Sequence, residues 1–328
     1  TQNLLTSVIS TGYYSLALGG TASGGGATLT SNATGGIAIN NTASDTLTYF
    51  NNLFLLQSPT AGGNIIEVGT IYSATNSPLN SASPALTGTG LPAYISLGIS
   101  TGNSDSSLGL FKFGGVINLT SAADSIYIKA PTVLTSATTS ITAAKAAATQ
   151  GVWLSSVTNA TGADASFSVS TGSNIVFLAN AQISSLAGKL NQSYTVTGGS
   201  TYSIYMTRAG IGLNANGGVI NLVADAMNLS GAGNSIQSTG GYLNIMPYTA
   251  STTIGLGTAS ATLNLPTVLW DGSATGAAPV AGTSAGQIGA AVFKPGFAMI
   301  TVGSPNQTGA ITVNTLVSDN FVFTSPLK

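Results

Sequence analysis

Histidine and cysteine, which supply much of the catalytic and metal-binding chemistry of proteins, are absent from this 328-residue chain. Their absence excludes Ser-His-Asp and Cys-His catalysis, disulfide bonds, haem ligation and zinc sites with nitrogen or sulfur ligands. Only carboxylate, lysine and backbone chemistry remains. We therefore expect no metal and no cofactor, and we predict that the protein is not an enzyme.

Charged residues are also scarce. The chain has 7 Lys and Arg and 8 Asp and Glu, together 5% of its residues, whereas soluble proteins average about 25%. A net charge of −1 cannot neutralise a row of phosphates, so no nucleic-acid partner is expected. Weak charge also means little repulsion between neighbouring molecules. The first partner that we predict is another copy of the same chain.

Long apolar runs are missing too. No stretch approaches the roughly 18 to 20 residues that cross a bilayer, so no membrane span is expected. The start of the chain, Thr1 to Leu5, has neither a Met nor the basic residues of a signal peptide, which favours an exported, mature chain. The lack of cysteine fits a bacterial or archaeal surface protein. We expect an extracellular or cell-surface location.

Apolar residues recur with a period of two, in short runs separated by Gly, Asn, Ser and Thr, and this pattern is typical of strands. The chain is 43% hydrophobic and has 42 Gly. The one stretch of helix-forming composition, Ser140 to Thr149, is predicted to be a short helix or a loop excursion. The clearest predicted strands lie at 116–120, 125–129, 167–170, 175–178, 242–245 and 310–313.

Short sequence motifs recur along the chain. The hexapeptide that starts at Gly114 returns unchanged at Gly217 and more loosely at Gly240. The last two copies start 23 residues apart (240 − 217), which suits one turn of a β-solenoid, in which inward Val, Ile and Leu stack in columns and outward Asn, Ser and Thr form ladders. We also interpret 178–184 and 223–230 as copies of one motif, with one inserted residue.

The repeats divide the chain into two predicted regions. Residues 111–328 are assigned to a parallel β-solenoid. Residues 1–110 are assigned to an irregular β-rich cap or assembly region, because the glycines at 24–26 and the proline-bearing stretch 77–84 interrupt the pattern there.

The region 243–265 resembles the coil pattern of filamentous-haemagglutinin-type exoproteins, in the segments 243–247, 251–257 and 261–265. Later segments at 297–303, 309–313 and 320–323 are similar to the continuation of that pattern. The resemblance covers roughly residues 114–328. It implies an all-β fold, a right-handed parallel β-helix, secreted and displayed on a cell surface. The secretion domain usual in that family is not recognisable in the first hundred residues.

An enzymatic alternative rests on paired acids, because some parallel β-helices cleave polysaccharides with two carboxylates. Asp45 with Glu67, or Asp105 with Asp124, are about 20 residues apart and could lie on neighbouring turns. Isolated acids in turns are the favoured interpretation, since Asp is common in turns. Exposed aromatic rows, such as Tyr202, Tyr205, Tyr242 and Tyr248, can bind sugars by stacking, although aromatic residues in strands mostly fill cores or subunit contacts.

Our leading functional hypothesis is a non-catalytic structural protein, a β-solenoid subunit of a self-assembling surface fibre or adhesin stalk. Its partners would be copies of itself, and host or surface glycans form a second partner class. The alternatives are a polysaccharide-active β-helix enzyme and a viral or phage fibre shaft. The residues predicted to mediate assembly lie near the two ends of the chain: Val8, Ile9, Tyr13, Tyr14, Phe321 and Phe323.

Overall fold

The protein is an all-β parallel β-solenoid. The computed structural model describes residues 131–134, 137–143, 151–270, 291–314, 323 and 325–328 in full, together with the side chain of Ile128 and the backbone of the strands between Ala27 and Ile128. In these residues the only helical element is one 3-10 turn, η1 (Thr267–Leu269). No described helix has the length and apolar character that a membrane crossing requires.

Three parallel sheets form the sides of the solenoid, and their strands are numbered in chain order. Sheet I contains β1 (Ala27–Thr30), β4 (Leu53–Gln57), β7 (Tyr94–Leu97), β10 (Ser125–Ile128), β13 (Gly151–Leu154), β16 (Asn174–Phe177), β19 (Ile204–Tyr205) and β22 (Met227–Asn228). Sheet II contains β2 (Ile37–Ile39), β5 (Asn64–Val68), β8 (Leu110–Phe113), β11 (Thr132–Leu134), β14 (Val157–Asn159), β17 (Gln182–Ser185), β20 (Gly212–Asn214) and β23 (Ser235–Gln237).

Sheet III contains β9 (Val116–Leu119), β12 (Thr138–Ala143), β15 (Ala165–Thr171), β18 (Leu190–Val196), β21 (Val219–Val223), β24 (Tyr242–Met246) and β27 (Met299–Val302). From β7 to β24, each turn of the chain adds one strand to each sheet. Strands β3 (Tyr49–Phe50) and β6 (Tyr72–Ser73) pair separately. A three-stranded sheet, in the order β26 (Leu263–Leu265), β25 (Ile254–Gly257) and β28 (Ile311–Asn314), follows the last regular turn.

The interior consists of stacked apolar columns, as the sequence predicts. In sheet III each inward residue lies opposite its equivalent one turn away, and every member of the column is buried. The stacking removes these side chains from water along the whole described length of the sheet, which is the main source of stability in such a fold. The column consists of Ile141, Val169, Tyr194, Leu222, Ile245 and Val302.

The recurring Gly-Gly motif marks equivalent strands. All three of its copies lead into strands of sheet III, namely β9, β21 and β24, and Val219 lies directly opposite Tyr242, 23 residues later (242 − 219). Gly217 and Gly240 have positive φ angles of 83° and 72°, a conformation that glycine adopts without strain. The glycines therefore turn the chain from sheet II into sheet III.

Two local predictions are wrong. The motifs at 178–184 and 223–230 do not occupy equivalent positions in the fold, because the first joins sheet I to sheet II and the second joins sheet III to sheet I. The stretch from Ser140 is not helical in its described part, since Ser140 to Ala143 complete β12. There Ile141 and Ala143 alternate inward with Ser140 and Thr142 outward, and packing in the stack overrides the helix propensity of alanine.

The boundary predicted at residue 110 does not interrupt the sheets. Strands β1, β4 and β7 belong to sheet I, and β2 and β5 belong to sheet II, together with the strands that follow residue 110. Several of these early pairings carry register shifts, as between Ala27 and Thr28 in β1.

Candidate functional site

The outward surface of sheet III has no charged residue in the described strands. Side chains that alternate with the buried column form a central outward row, one residue from each turn. We call this surface the sheet III face. Its central row is Ser140, Ser168, Ser193, Asn221, Asn244 and Thr301.

The sheet III face changes character along the solenoid axis. Its first three described strands, β12, β15 and β18, present only Ser, Thr and Asn side chains outward. Its last three, β21, β24 and β27, keep polar residues in the central row but add apolar residues on both sides. We call this second part the amide-tyrosine patch: Val219, Asn221, Val223, Tyr242, Asn244, Met246, Met299 and Thr301.

Two asparagines lie at the centre of the amide-tyrosine patch. The Nδ2 amide of Asn244 donates to Oδ1 of Asn221 at 2.8 Å, across one turn. Beside them, Tyr242 is 48% exposed, with Val219 opposite it on one strand and Met299 opposite it on the other. The patch therefore combines an exposed aromatic ring with a pair of neighbouring amides on one side of the sheet.

The second notable surface is the edge strand β28. In the three-stranded sheet β28 pairs with β25 on one side, and no described strand pairs with it on the other. All four of its residues are exposed, Ile311 to 45% and Val313 to 56%. Unpaired backbone groups along such a strand can accept another strand. We call this element the β28 edge.

The two acids whose side chains are described both accept hydrogen bonds from other groups of the same chain. Asp225 is buried, and its carboxylate accepts hydrogen bonds from Thr249 N at 2.7 Å, Thr249 Oγ1 at 2.6 Å and Thr252 Oγ1 at 2.9 Å. Exposed Asp164 accepts a bond from Lys189 N at 2.8 Å. They lie on different turns, and no group of three or more acids within the described ranges could hold a metal ion.

Buried asparagines fix the corners between sheets. Asn159 donates from Nδ2 to Ala163 O at 2.9 Å, and its Oδ1 accepts from Thr161 Oγ1 at 2.7 Å. In the corner between β22 and β23, Oδ1 of Asn234 accepts from Ile211 N at 2.9 Å, a bond that joins successive turns. These amides satisfy backbone groups that the sheets leave unpaired, so their role is structural.

One polar pair lies inside the core. Tyr194 is fully buried between Phe167 and Phe177, with ring centroids 6.4 and 5.1 Å away. Its hydroxyl donates to Oε1 of buried Gln192 at 3.0 Å. Burial raises the pKa of the Tyr194 phenol well above its ordinary value of 10.0, because the phenolate would be desolvated there.

The outward side of sheet I carries one cation-aromatic contact. The guanidinium carbon of Arg208 lies 5.8 Å from the ring centroid of Trp153, a favourable arrangement. Tyr205 occupies the same outward row two strands later, with Val176 between them. Because Arg208 covers the face of Trp153, this ring is less open to stacking by a ligand than Tyr242.

Most residues predicted to mediate assembly lie outside the described residues: Val8, Ile9, Tyr13, Tyr14 and Phe321. Phe323 is described, and its ring packs against Trp270 with centroids 5.0 Å apart and an interplanar angle of 84°. Trp270 in turn packs against Phe293 at 4.8 Å. Phe323 therefore contributes to the core of its own chain, at the end of the solenoid that carries β28.

The acid pairs proposed for catalysis also fall largely outside the described residues. Asp45, Asp105 and Asp124 are not described. Glu67 lies on β5, where its register partner on β8 is Lys112, a residue of opposite charge.

The sequence predicts Tyr242 as one of several aromatic residues that could stack on a sugar, but it does not predict the amide-tyrosine patch around it. Its signal is the alternation in β24, which places Tyr242, Asn244 and Met246 on the outward side while Leu243 and Ile245 are buried. The sequence does not show that Asn221 lies beside Asn244, because that contact depends on the register between turns.

These features define the class of protein as a parallel β-solenoid with an uncharged outward face. Comparison with known proteins finds no matching family model and no significantly similar curated protein or solved structure. Parallel β-solenoids serve several functions, so function has to be argued from the surfaces themselves.

Proposed function

We propose that the chain is a non-catalytic structural protein, a β-solenoid subunit of a self-assembling extracellular fibre or adhesin stalk. The observation that carries this proposal is the β28 edge. It presents four exposed residues at one end of a stack of parallel strands, and no described strand pairs with its outer side. A second chain that adds a strand there would continue the same parallel arrangement.

The surface chemistry supports the same role. Among the side chains that are described, the outward rows are dominated by hydroxyl and amide groups, and the buried acid Asp225 is committed to hydrogen bonds within its own chain. A surface with few charges opposes association only weakly. Head-to-tail contacts between unlike ends generate an open filament when the rotation from one copy to the next does not close a ring.

Electron microscopy and sedimentation of the full chain test the proposal. We expect filaments whose length increases with protein concentration and whose formation depends little on salt, because few ionic contacts are available. A monomer at every concentration would refute self-assembly. A closed trimer of fixed mass would instead favour the fibre-shaft alternative.

The role of the β28 edge is tested by placing a charge on it. Val313→Lys introduces a cation into the strand that would be paired, and edge lysines oppose strand addition. The matched control is Leu186→Lys, because Leu186 is the most exposed large apolar side chain described, at 76%, and lies in the corner between β17 and β18. We expect shorter or no filaments from Val313→Lys and unchanged filaments from Leu186→Lys. Equal behaviour of the two variants would exclude the β28 edge as the contact.

A further inference from the structure

We propose that the amide-tyrosine patch is a binding site for a neutral saccharide. The patch consists of nearest neighbours on the three adjacent strands β21, β24 and β27. Neighbouring strands lie about 4.8 Å apart, and alternate residues on one strand lie about 6.6 Å apart. The surface is therefore roughly 10 by 13 Å, which is large enough for one or two sugar rings.

The aromatic ring supplies the first half of the recognition chemistry. Tyr242 is 48% exposed although it begins a strand in the interior of sheet III, between Val219 and Met299 on the neighbouring strands. The apolar C–H face of a pyranose stacks on an exposed ring of this kind, and the phenol hydroxyl keeps contact with water or with a sugar hydroxyl. Its neighbours extend the apolar contact on both sides of the ring.

The two asparagines supply the polar half. In the bond from Asn244 Nδ2 to Asn221 Oδ1 each amide uses only part of its capacity, because an amide carries two donor hydrogens and an acceptor with two lone pairs. Oδ1 of Asn244 and Nδ2 of Asn221 make no hydrogen bond to described residues. The remaining acceptor on one amide and the remaining donor on the other can each pair with a sugar hydroxyl. Thr301, opposite Asn244 on β27, adds a hydroxyl.

The lack of charged side chains on the patch favours neutral ligands over acidic ones. The patch contains no Asp, Glu, Lys or Arg. A sulfated or carboxylated glycan gains nothing from this surface, whereas a neutral hexose pairs with amides, a hydroxyl and a ring. The hydroxyl-rich strands β12, β15 and β18 have no aromatic residue facing outward, so the site is confined to one part of the sheet III face.

Such binding does not depend on fibre assembly, because every residue of the patch belongs to one copy of the chain. It goes beyond the structural role, since it provides the fibre with a ligand. Failure of one does not imply failure of the other: glycan binding is measured on dispersed protein, whereas assembly is measured without glycan.

The chain offers a closely matched pair of variants for the test. Tyr248 is 50% exposed, almost the same as Tyr242, but it lies in the turn after β24 rather than on the sheet III face. The full-length protein is screened on an array of neutral and acidic glycans, and the neutral glycan bound most strongly is titrated by calorimetry. We expect Tyr242→Ala to weaken binding about tenfold and Tyr248→Ala to leave it unchanged.

The amides need a separate variant that preserves the fold. Asn221→Leu together with Asn244→Leu removes both partners of the bond at once, which avoids an unpaired amide. We expect this pair to abolish binding while thermal unfolding stays cooperative. The proposal is wrong if no neutral glycan binds, if acidic glycans bind in preference, or if both tyrosine variants weaken binding equally. It is also wrong if Tyr242→Ala changes only lateral association of the chain, since the face would then be a contact between copies.

Discussion

Asp225 is the buried carboxylate that joins two successive turns of the solenoid. It accepts three hydrogen bonds from Thr249 and Thr252, which lie in the turn after the next strand of sheet III. We expect Asp225→Ala to lower the free energy of unfolding by about 3 kcal/mol, because three hydrogen bonds to a carboxylate are lost and the buried hydroxyl of Thr252 loses its acceptor. Asp164→Ala is the control, since exposed Asp164 accepts one bond, and its cost should be well under half. Denaturant unfolding measures both, and equal losses would contradict the assignment.

The burial of the Tyr194 phenol leads to a prediction about protein stability at alkaline pH. Because burial raises the pKa of this phenol in the folded protein, the unfolded chain loses the phenol proton first as the pH rises. Stability should therefore be constant below about pH 10 and should fall above it. Unfolding at pH values from 8 to 11 measures this, and Tyr194→Phe should flatten the decline. An unchanged decline in that variant would show that another group is responsible.

The bond between Tyr194 and Gln192 makes a second prediction at this scale. Tyr194→Phe leaves Oε1 of Gln192 buried without its partner, so we expect a loss of about 1 to 3 kcal/mol near neutral pH. Adding Gln192→Leu removes the unpaired amide and should recover most of that loss. A double-mutant cycle from denaturant unfolding gives the coupling energy, and simple additivity of the two changes would contradict it.

At the scale of single elements, the Gly-Gly turn before β24 has two glycines with different roles. A Cβ added to Gly241 would collide with the backbone carbonyl oxygen of Gly218 and with Ser238 Oγ, whereas nothing lies within 4 Å of a Cβ added to Gly240. We expect Gly241→Ala to cost about 3 kcal/mol, because the neighbouring turn must move. Gly240→Ala should cost only about 1 kcal/mol, from its positive φ. Thermal unfolding measures the difference, and equal costs would mean that the turns do not pack as closely as described.

The same turn shows how far the fold could be predicted from the sequence. The repeated hexapeptide correctly marked strands of sheet III, because glycine is required where the chain turns with positive φ and passes close to the turn below. The motifs at 178–184 and 223–230 were misleading, because small and polar residues recur at every corner and do not show which two sheets a corner joins. Composition alone cannot determine which corner a segment occupies.

The candidate surfaces could be predicted from the sequence less fully than the fold. The alternation in β24 predicts which side Tyr242 faces, but the contact between Asn221 and Asn244 follows from the register between turns. Likewise, Phe323 looked like an exposed assembly residue, and only the three-dimensional arrangement brings it against Trp270, 53 residues earlier in the chain (323 − 270).

For the whole molecule, the prediction concerns the other end of the chain. The segment around Val8, Ile9, Tyr13 and Tyr14 remains our candidate for an exchanged strand, and it would pair with the β28 edge of a neighbouring copy. Deleting residues 1–20 should then stop filament growth without lowering the midpoint of thermal unfolding. Unaffected filaments would remove this segment from the assembly contact and leave the test of Val313→Lys to stand alone.

The corners between sheets differ in length, although the strands that they join keep their register. The corner between β18 and β19 spans residues 197–203, whereas the equivalent corner between β15 and β16 has only residues 172 and 173. Each turn still raises the stack by about 4.8 Å. The axial length of the molecule is therefore set by the number of turns and its mass largely by the corners, so an insertion at a corner makes the rod heavier without making it longer. A peptide placed beside Gly199, where a Cβ would meet nothing within 4 Å, would protrude from the side of the rod at a fixed height.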